Sequence, residues 1–213
     1  MHSHSHGDHV WGDAAIQALN DPTMPIQFVA PTVDAATSFF AIDNWPTGLG
    51  QVDLGDRVLN IIPIPGHDRY DVALYDRATG IVLTGDSLYP GRLYVSDFPA
   101  FLESTERLIA FLRDKPVAHI LGNHIEETST PFKDFPIGTI YHPGEHRLEL
   151  SFGDLLALED GLKSMQTAPH RMAMSDFTIW PRDAGKQAQN SQMRELLRKT
   201  QEEQLKNKWD QPQ

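Results

Sequence analysis

The chain's 213 residues suffice for one domain with a sizeable core, followed by a tail. Hydrophobic residues make up 40% and charged residues 22%, no apolar run approaches the length of a membrane span, and a net charge of −11 argues against binding to nucleic-acid phosphates. The absence of cysteine excludes disulfides and thiolate metal ligands.

The start of the chain, Met1-His2-Ser3-His4-Ser5-His6-Gly7-Asp8-His9, holds four histidines and an aspartate. One register reads H-x-H-x-D-H over His4, His6, Asp8 and His9 and leaves His2 outside. Imidazoles crowded in a polar run bury nothing and repel when protonated, whereas imidazole and carboxylate are good ligands for zinc and its neighbours. Alternation lets His4 and His6 share one ion, with Asp8 and His9 turned towards a second. A purification tag would account for the histidines, but not for the closing Asp-His or for the ligand candidates downstream.

Val10 to Leu19 reads as a short helix stopped by Asn20-Asp21-Pro22. Residues 26–30 read as a strand, 33–42 as a helix, and Trp45-Pro46-Thr47-Gly48 as a turn. Strands are predicted over 51–54 and 57–64 around Gly55-Asp56, and Pro63 and Pro65 place the second at an edge or lead it out of the sheet. A further hairpin is predicted from 72–75 and 81–84. Residues 98–113 form the clearest helix, with Asp97 as cap, Pro99 in the first turn, and Phe101, Leu102, Thr105, Leu108, Ile109 and Leu112 on one face. Then come a buried strand over 117–121, a loop to about Pro143, a helix over 153–165, a strand over 177–180, and a polar tail that is helical or disordered. The expected division is a domain over 1–182 and a tail over 183–213.

Pro65-Gly66-His67, Thr84-Gly85-Asp86 and Gly122-Asn123-His124 each follow an apolar strand, where α/β sheets usually place their chemistry. Together with the histidine run, this order resembles the metallo-β-lactamase-fold hydrolase superfamily, by motif over about residues 1 to 125. The resemblance implies an α/β fold, an αββα sandwich. It implies that His4, His6 and His67 bind one metal, that Asp8, His9 and His124 bind a second, and that Asp86 bridges them. Two zinc ions per chain are the expected cofactors, with iron as an alternative, since ligand types do not separate the two. Two cations about 3.5–4 Å apart lower the pKa of a shared water towards about 7 and supply hydroxide at neutral pH. The resemblance gives Asp8 the task of orienting that hydroxide, which makes Asp8 and Asp86 the catalytic pair.

The substrate expected is a small ester, lactone or thioester. Asp86 departs from the cysteine-free β-lactamases, which lack the bridging carboxylate. Pro65-Gly66-His67-Asp68-Arg69-Tyr70 departs from the glyoxalase II pattern, against a glutathione thioester. The rival readings are a mononuclear iron sulfur dioxygenase of the same fold and an inactive fragment. The family places strands before its histidine motif, which here begins at residue 2. The expectation is therefore that the sandwich lacks its N-terminal strands, about a quarter to a third of it. Tyr89 and Arg92 are candidates to bind substrate carbonyl and carboxylate groups. His119 reads as a core histidine, His142 and His146 as surface residues, and Trp11 as packing. A small-molecule partner is expected, with neither nucleic acid nor membrane. No signal peptide is visible, which favours the cytoplasm.

Overall fold

The computed structural model describes residues 1–23, 25–182 and Lys199. The predicted tail, apart from Lys199, lies outside the described residues. Two short helices open the chain, α1 (Gly7–Val10) and α2 (Asp13–Ala18). They replace the single helix expected over 10–19, because the break falls at Trp11-Gly12. Residues 26–30 form no strand. Val29 is nevertheless buried beside α3 (Val33–Phe40), whose N-cap Thr32 accepts from the Ala35 backbone N–H.

Next come β1 (Gly50–Asp53), β2 (Val58–Pro63), β3 (Val72–Asp76) and β4 (Ile81–Gly85). They are antiparallel neighbours in chain order. Pro63 closes β2, an interior strand, opposite Val72. β5 (Arg92–Val95) follows and was not expected. The helix α4 (Phe98–Leu112) is capped by the Asp97 side chain and buries the predicted face, from Phe101 to Leu112. β6 (His119–Gly122) then runs parallel to β4.

A short β7 (Glu149–Leu150) finishes a six-stranded sheet of order β1-β2-β3-β4-β6-β7. The helix α5 (Phe152–Ser164) starts at a capping box between Ser151 and Asp154. β8 (Met172–Ala173) and β9 (Thr178–Pro181) join β5 in a separate three-stranded sheet of order β5-β9-β8.

One face of the large sheet carries Ile62, Ala73, Tyr75, Val82, Ile120 and Leu150, and α4 and α5 bury it. The opposite face carries Ile61, Leu74, Leu83 and Leu121, which are neighbours across the strands. Residues 29–42 cover Ile61 and Val72 there, but not β4, where Leu83 is 43% exposed although its strand is internal. Among the described residues, no second sheet lies over this face. His119 is exposed and is not the core residue expected, because the alternation along β6 turns Ile120 and not His119 towards α4 and α5.

The two faces should respond differently to truncation. Leu162→Ala, inside the packed core, should cost about 2–5 kcal/mol by urea denaturation, whereas Leu83→Ala should cost less than about 1.5 kcal/mol. Equal losses at both positions would contradict the layer assignment.

Candidate metal centre

Main-chain hydrogen bonds bring the histidine-bearing segments together. The N-terminal run lies against the segment that follows His67. Val72 N–H donates to Ser3 O at 2.9 Å, His4 forms an isolated bridge with Asp71, and Ser5 N–H donates to the Asp68 carboxylate at 2.9 Å. Alternation in this extended run turns His4 and His6 to one side, and α1 then carries Asp8 and His9 round to the other. Gly66, with φ of +143°, makes the turn before His67. A Cβ there would lie 2.4 Å from Phe101 Cα, so only glycine lets the turn pack on α4. Gly85, with φ of +56°, ends β4 beside Ser3, and its carbonyl accepts from Asn123 N–H at 3.0 Å. Asp86 and His124 are thus fixed relative to one another.

The seven side chains singled out as ligands fall into two groups. His4, His6, His67 and Asp86 form one, and Asp8, His9 and His124 form the other, with ligand atoms inside each group within 4.8 Å of one another. Asp86 Oδ2 lies between them, 3.6 Å from both His4 Nε2 and His67 Nε2, 3.5 Å from His9 Nε2 and 3.2 Å from His124 Nε2. Asp8 Oδ2 stands 3.4 Å from His9 Nε2 and 3.6 Å from His124 Nε2, and its side chain is 53% exposed. The His67 ring is oriented from behind, with Nδ1 2.8 Å from Tyr94 O.

The donor set fits metal ions on an observation independent of motif. His4 Nε2, His9 Nε2 and Asp86 Oδ1 are buried without hydrogen-bond partners, although buried polar atoms are normally paired. Burial pushes His4 down to about 3 and His67 down to about 4, so both rings are neutral at physiological pH. Burial opposes ionisation of Asp86, but the bond to His124 and the His124 charge carry its pKa below the ordinary value. The same bond raises that of His124.

The remaining candidates lie elsewhere. The Arg92 guanidinium is buried and donates to Glu126 Oε1 at 2.7 Å, Asp134 Oδ2 at 3.0 Å and Phe135 O at 2.7 Å. It is therefore already engaged, not open to a ligand. The buried Tyr89 hydroxyl donates to Arg92 O, and its ring packs against His124 at 5.5 Å. Trp11 is 81% exposed, contrary to the expectation of packing. Its ring lies over Gly7 inside the motif, where a Cβ would approach it to 2.6 Å. His2 meets Asp13 at 2.8 Å, His142 stacks on Phe135, and His146 meets Asp176 at 3.0 Å, all outside the two groups.

Five imidazoles and two carboxylates converging at strand ends define a candidate dinuclear metal centre on an α/β scaffold. The family model of the Metallo-beta-lactamase superfamily matches residues 1–148, and the chain belongs to that superfamily. Over 77 residues it is 32% identical to acyl-coenzyme A thioesterase MBLAC2 from Homo sapiens and from Bos taurus. That match takes in 34% of this chain and 28% of each relative. Among solved structures, a metallo-beta-lactamase from Pontibacter korlensis aligns with a TM-score of 0.49 at 16% identity, over 76% of this chain and 67% of that one. BLEG-1 B3 metallo-beta-lactamase aligns with a TM-score of 0.37 at 16% identity, over 57% and 66%.

The neutral rings carry a signed pH dependence. With folded values near 3 and 4 against 6.5 in the unfolded chain, His4 and His67 make the unfolded state bind more protons below about pH 6.5. Each therefore lowers stability as pH falls towards its folded value. Glu127, raised to about 7 by burial and then by Asp134, acts in the opposite direction, so the comparison must be made between variants. In chelator-treated protein, the Tm of His4→Gln should rise relative to wild type between about pH 7 and pH 5. A constant difference across that range would show that His4 is not held neutral.

Proposed function

We propose that the chain is a metal-dependent hydrolase acting on a small thioester, ester or lactone, with two zinc ions as its cofactors. The observation that carries the reading is the position of Asp86 Oδ2, within 3.6 Å of imidazole nitrogens from both groups while three ligand atoms around it lack partners. His4, His6 and His67 would hold one ion and Asp8, His9 and His124 the other, with Asp86 shared. Bound ions supply Lewis-acid polarisation of a carbonyl oxygen and a water acidified to near neutrality.

The chain's own residues do the rest. Tyr94 O fixes the His67 ring so that Nε2 faces the cluster. Asp8, the exposed carboxylate of the pair, stands at the open side beside His9 and His124, where it accepts a hydrogen bond from an attacking water and sets its direction. The buried Asp86 would supply negative charge shared by both ions. The partial similarity to a thioesterase favours the thioester among the three substrate types, and a lone family relation would favour none of them.

Elemental analysis of untagged protein after dialysis should give about two zinc ions per chain. Asp86→Ala should lower that content and reduce thioester hydrolysis by at least about a hundredfold. Full metal content and full activity in the variant would sink the bridged assignment. Oxygen uptake on a persulfide, with one iron per chain, would replace hydrolysis by the dioxygenase reading.

A further inference from the structure

Beside the histidine cluster, the small sheet presents a face built from alternate residues. β5 and β9 pair in register as Arg92 with Thr178 and Tyr94 with Trp180, and Arg182 follows at the next alternate position. The Tyr94 and Trp180 rings lie 5.7 Å apart. Each carries a guanidinium, that of Arg182 at 4.9 Å from the Tyr94 centroid and that of Arg171 at 4.4 Å from the Trp180 centroid. The two arginines differ in what neutralises them. Arg171 meets Asp134 at 2.9 Å. Arg182 is exposed and, among the described residues, has no carboxylate within ion-pair distance, in a chain with a net charge of −11. Its backbone N–H is pinned to Val95 O at 2.7 Å, so the side chain starts from a fixed point.

Tyr94 links this arginine to the chemistry. Its ring supports Arg182, and its carbonyl oxygen holds His67 Nδ1 at 2.8 Å.

We propose that Arg182, seated on Tyr94, recognises an anionic group of the substrate, a carboxylate or a phosphate, in the part of the molecule next to the scissile bond. The proposal rests on the hydrolytic reading of the histidine cluster and adds the charge of its substrate. A guanidinium presents a planar fork that matches carboxylate and phosphate oxygens two at a time. Stacking on an aromatic face orders the fork without neutralising it. Two divalent cations against the two carboxylates of the cluster would leave the neighbourhood net positive, which also suits an anion.

The test uses matched acetyl thioesters on the zinc-loaded full chain. One pair is S-acetyl-3-mercaptopropionate and its amide, and the other is S-acetyl-2-mercaptoethyl phosphate and S-acetyl-2-mercaptoethanol, so that both charges stand close to the thioester. The readout is the ratio of kcat/KM, anionic over neutral, within each pair. Arg182→Gln should lower that ratio about tenfold in at least one pair, and Arg182→Lys should restore part of it. The pair that responds identifies carboxylate or phosphate as the source of the charge. The same ratio is read from the Kd of the non-hydrolysable N-acetyl amide analogues, which need no turnover. Failure to cleave any thioester would therefore strike only the hydrolase reading. A wild type with no anionic preference in kcat/KM or Kd, or a preference that Arg182→Gln leaves intact, overturns the proposal.

Discussion

Asp86 Oδ2 lies within 3.6 Å of imidazole nitrogens from His4, His9, His67 and His124, and the rest of the site is arranged around that contact. A buried carboxylate among buried imidazoles is a poor electrostatic bargain unless something shares the charge. Desolvation keeps His4 and His67 neutral, so they offer lone pairs and not positive charge. The carboxylate stays ionised chiefly through its bond to His124. Neutral nitrogens beside a buried carboxylate, with several atoms unpartnered, make an arrangement suited to cations.

Such an arrangement needs a scaffold that does not relax to satisfy itself. Here backbone contacts do that work. Ser3, His4 and Ser5 are tied to residues 68–72, the Gly66 carbonyl accepts from both Ser96 and Asp97, and the Gly85 carbonyl accepts from Asn123. Each turn that carries a candidate ligand is therefore anchored by a segment distant in sequence and adjacent in space. The packed core behind β2, β3, β4 and β6 holds those turns at one end of the sheet. The far face is open over Leu83, but its cluster holds Tyr70, whose hydroxyl donates to His2 O at 3.0 Å and helps to seat the histidine run.

The sequence was legible where a signal was local. Asp97 and Pro99, with the apolar spacing from Phe101 to Leu112, mark α4 because capping and periodicity act within a few residues. The convergence of the candidate residues was legible because each sits in a short motif whose neighbours shape its turn, as Gly66 does for His67 and Gly85 for Asp86. What depended on distant partners was not. β5 exists because β9, more than eighty residues on, lies parallel to it, and nothing in Arg92-Leu93-Tyr94-Val95 announces that pairing. Residues 26–30 have strand composition but no strand beside them. Arg182 carried no local signal at all, since its meaning comes from Tyr94, which lies on a different strand.

Arg92 shows why chemistry near a motif does not by itself indicate a role in binding. An arginine and a tyrosine following Asp86 resemble substrate contacts, but a buried guanidinium requires compensation wherever it lies. Glu126, Asp134 and the Phe135 carbonyl provide it, and they tie β5 to the loop that leaves His124. Glu127 lies in the same region as those two acids and is raised to about 7, by burial first and by the Asp134 charge second. One guanidinium stabilises two carboxylates there, and a third is disfavoured in its charged form. The brace thus fixes the loop next to His124 through charge accounting among Arg92, Glu126, Glu127 and Asp134. The outer arginine on the same sheet face, lacking any such acids among the described residues, is the one left to meet an anion from solution.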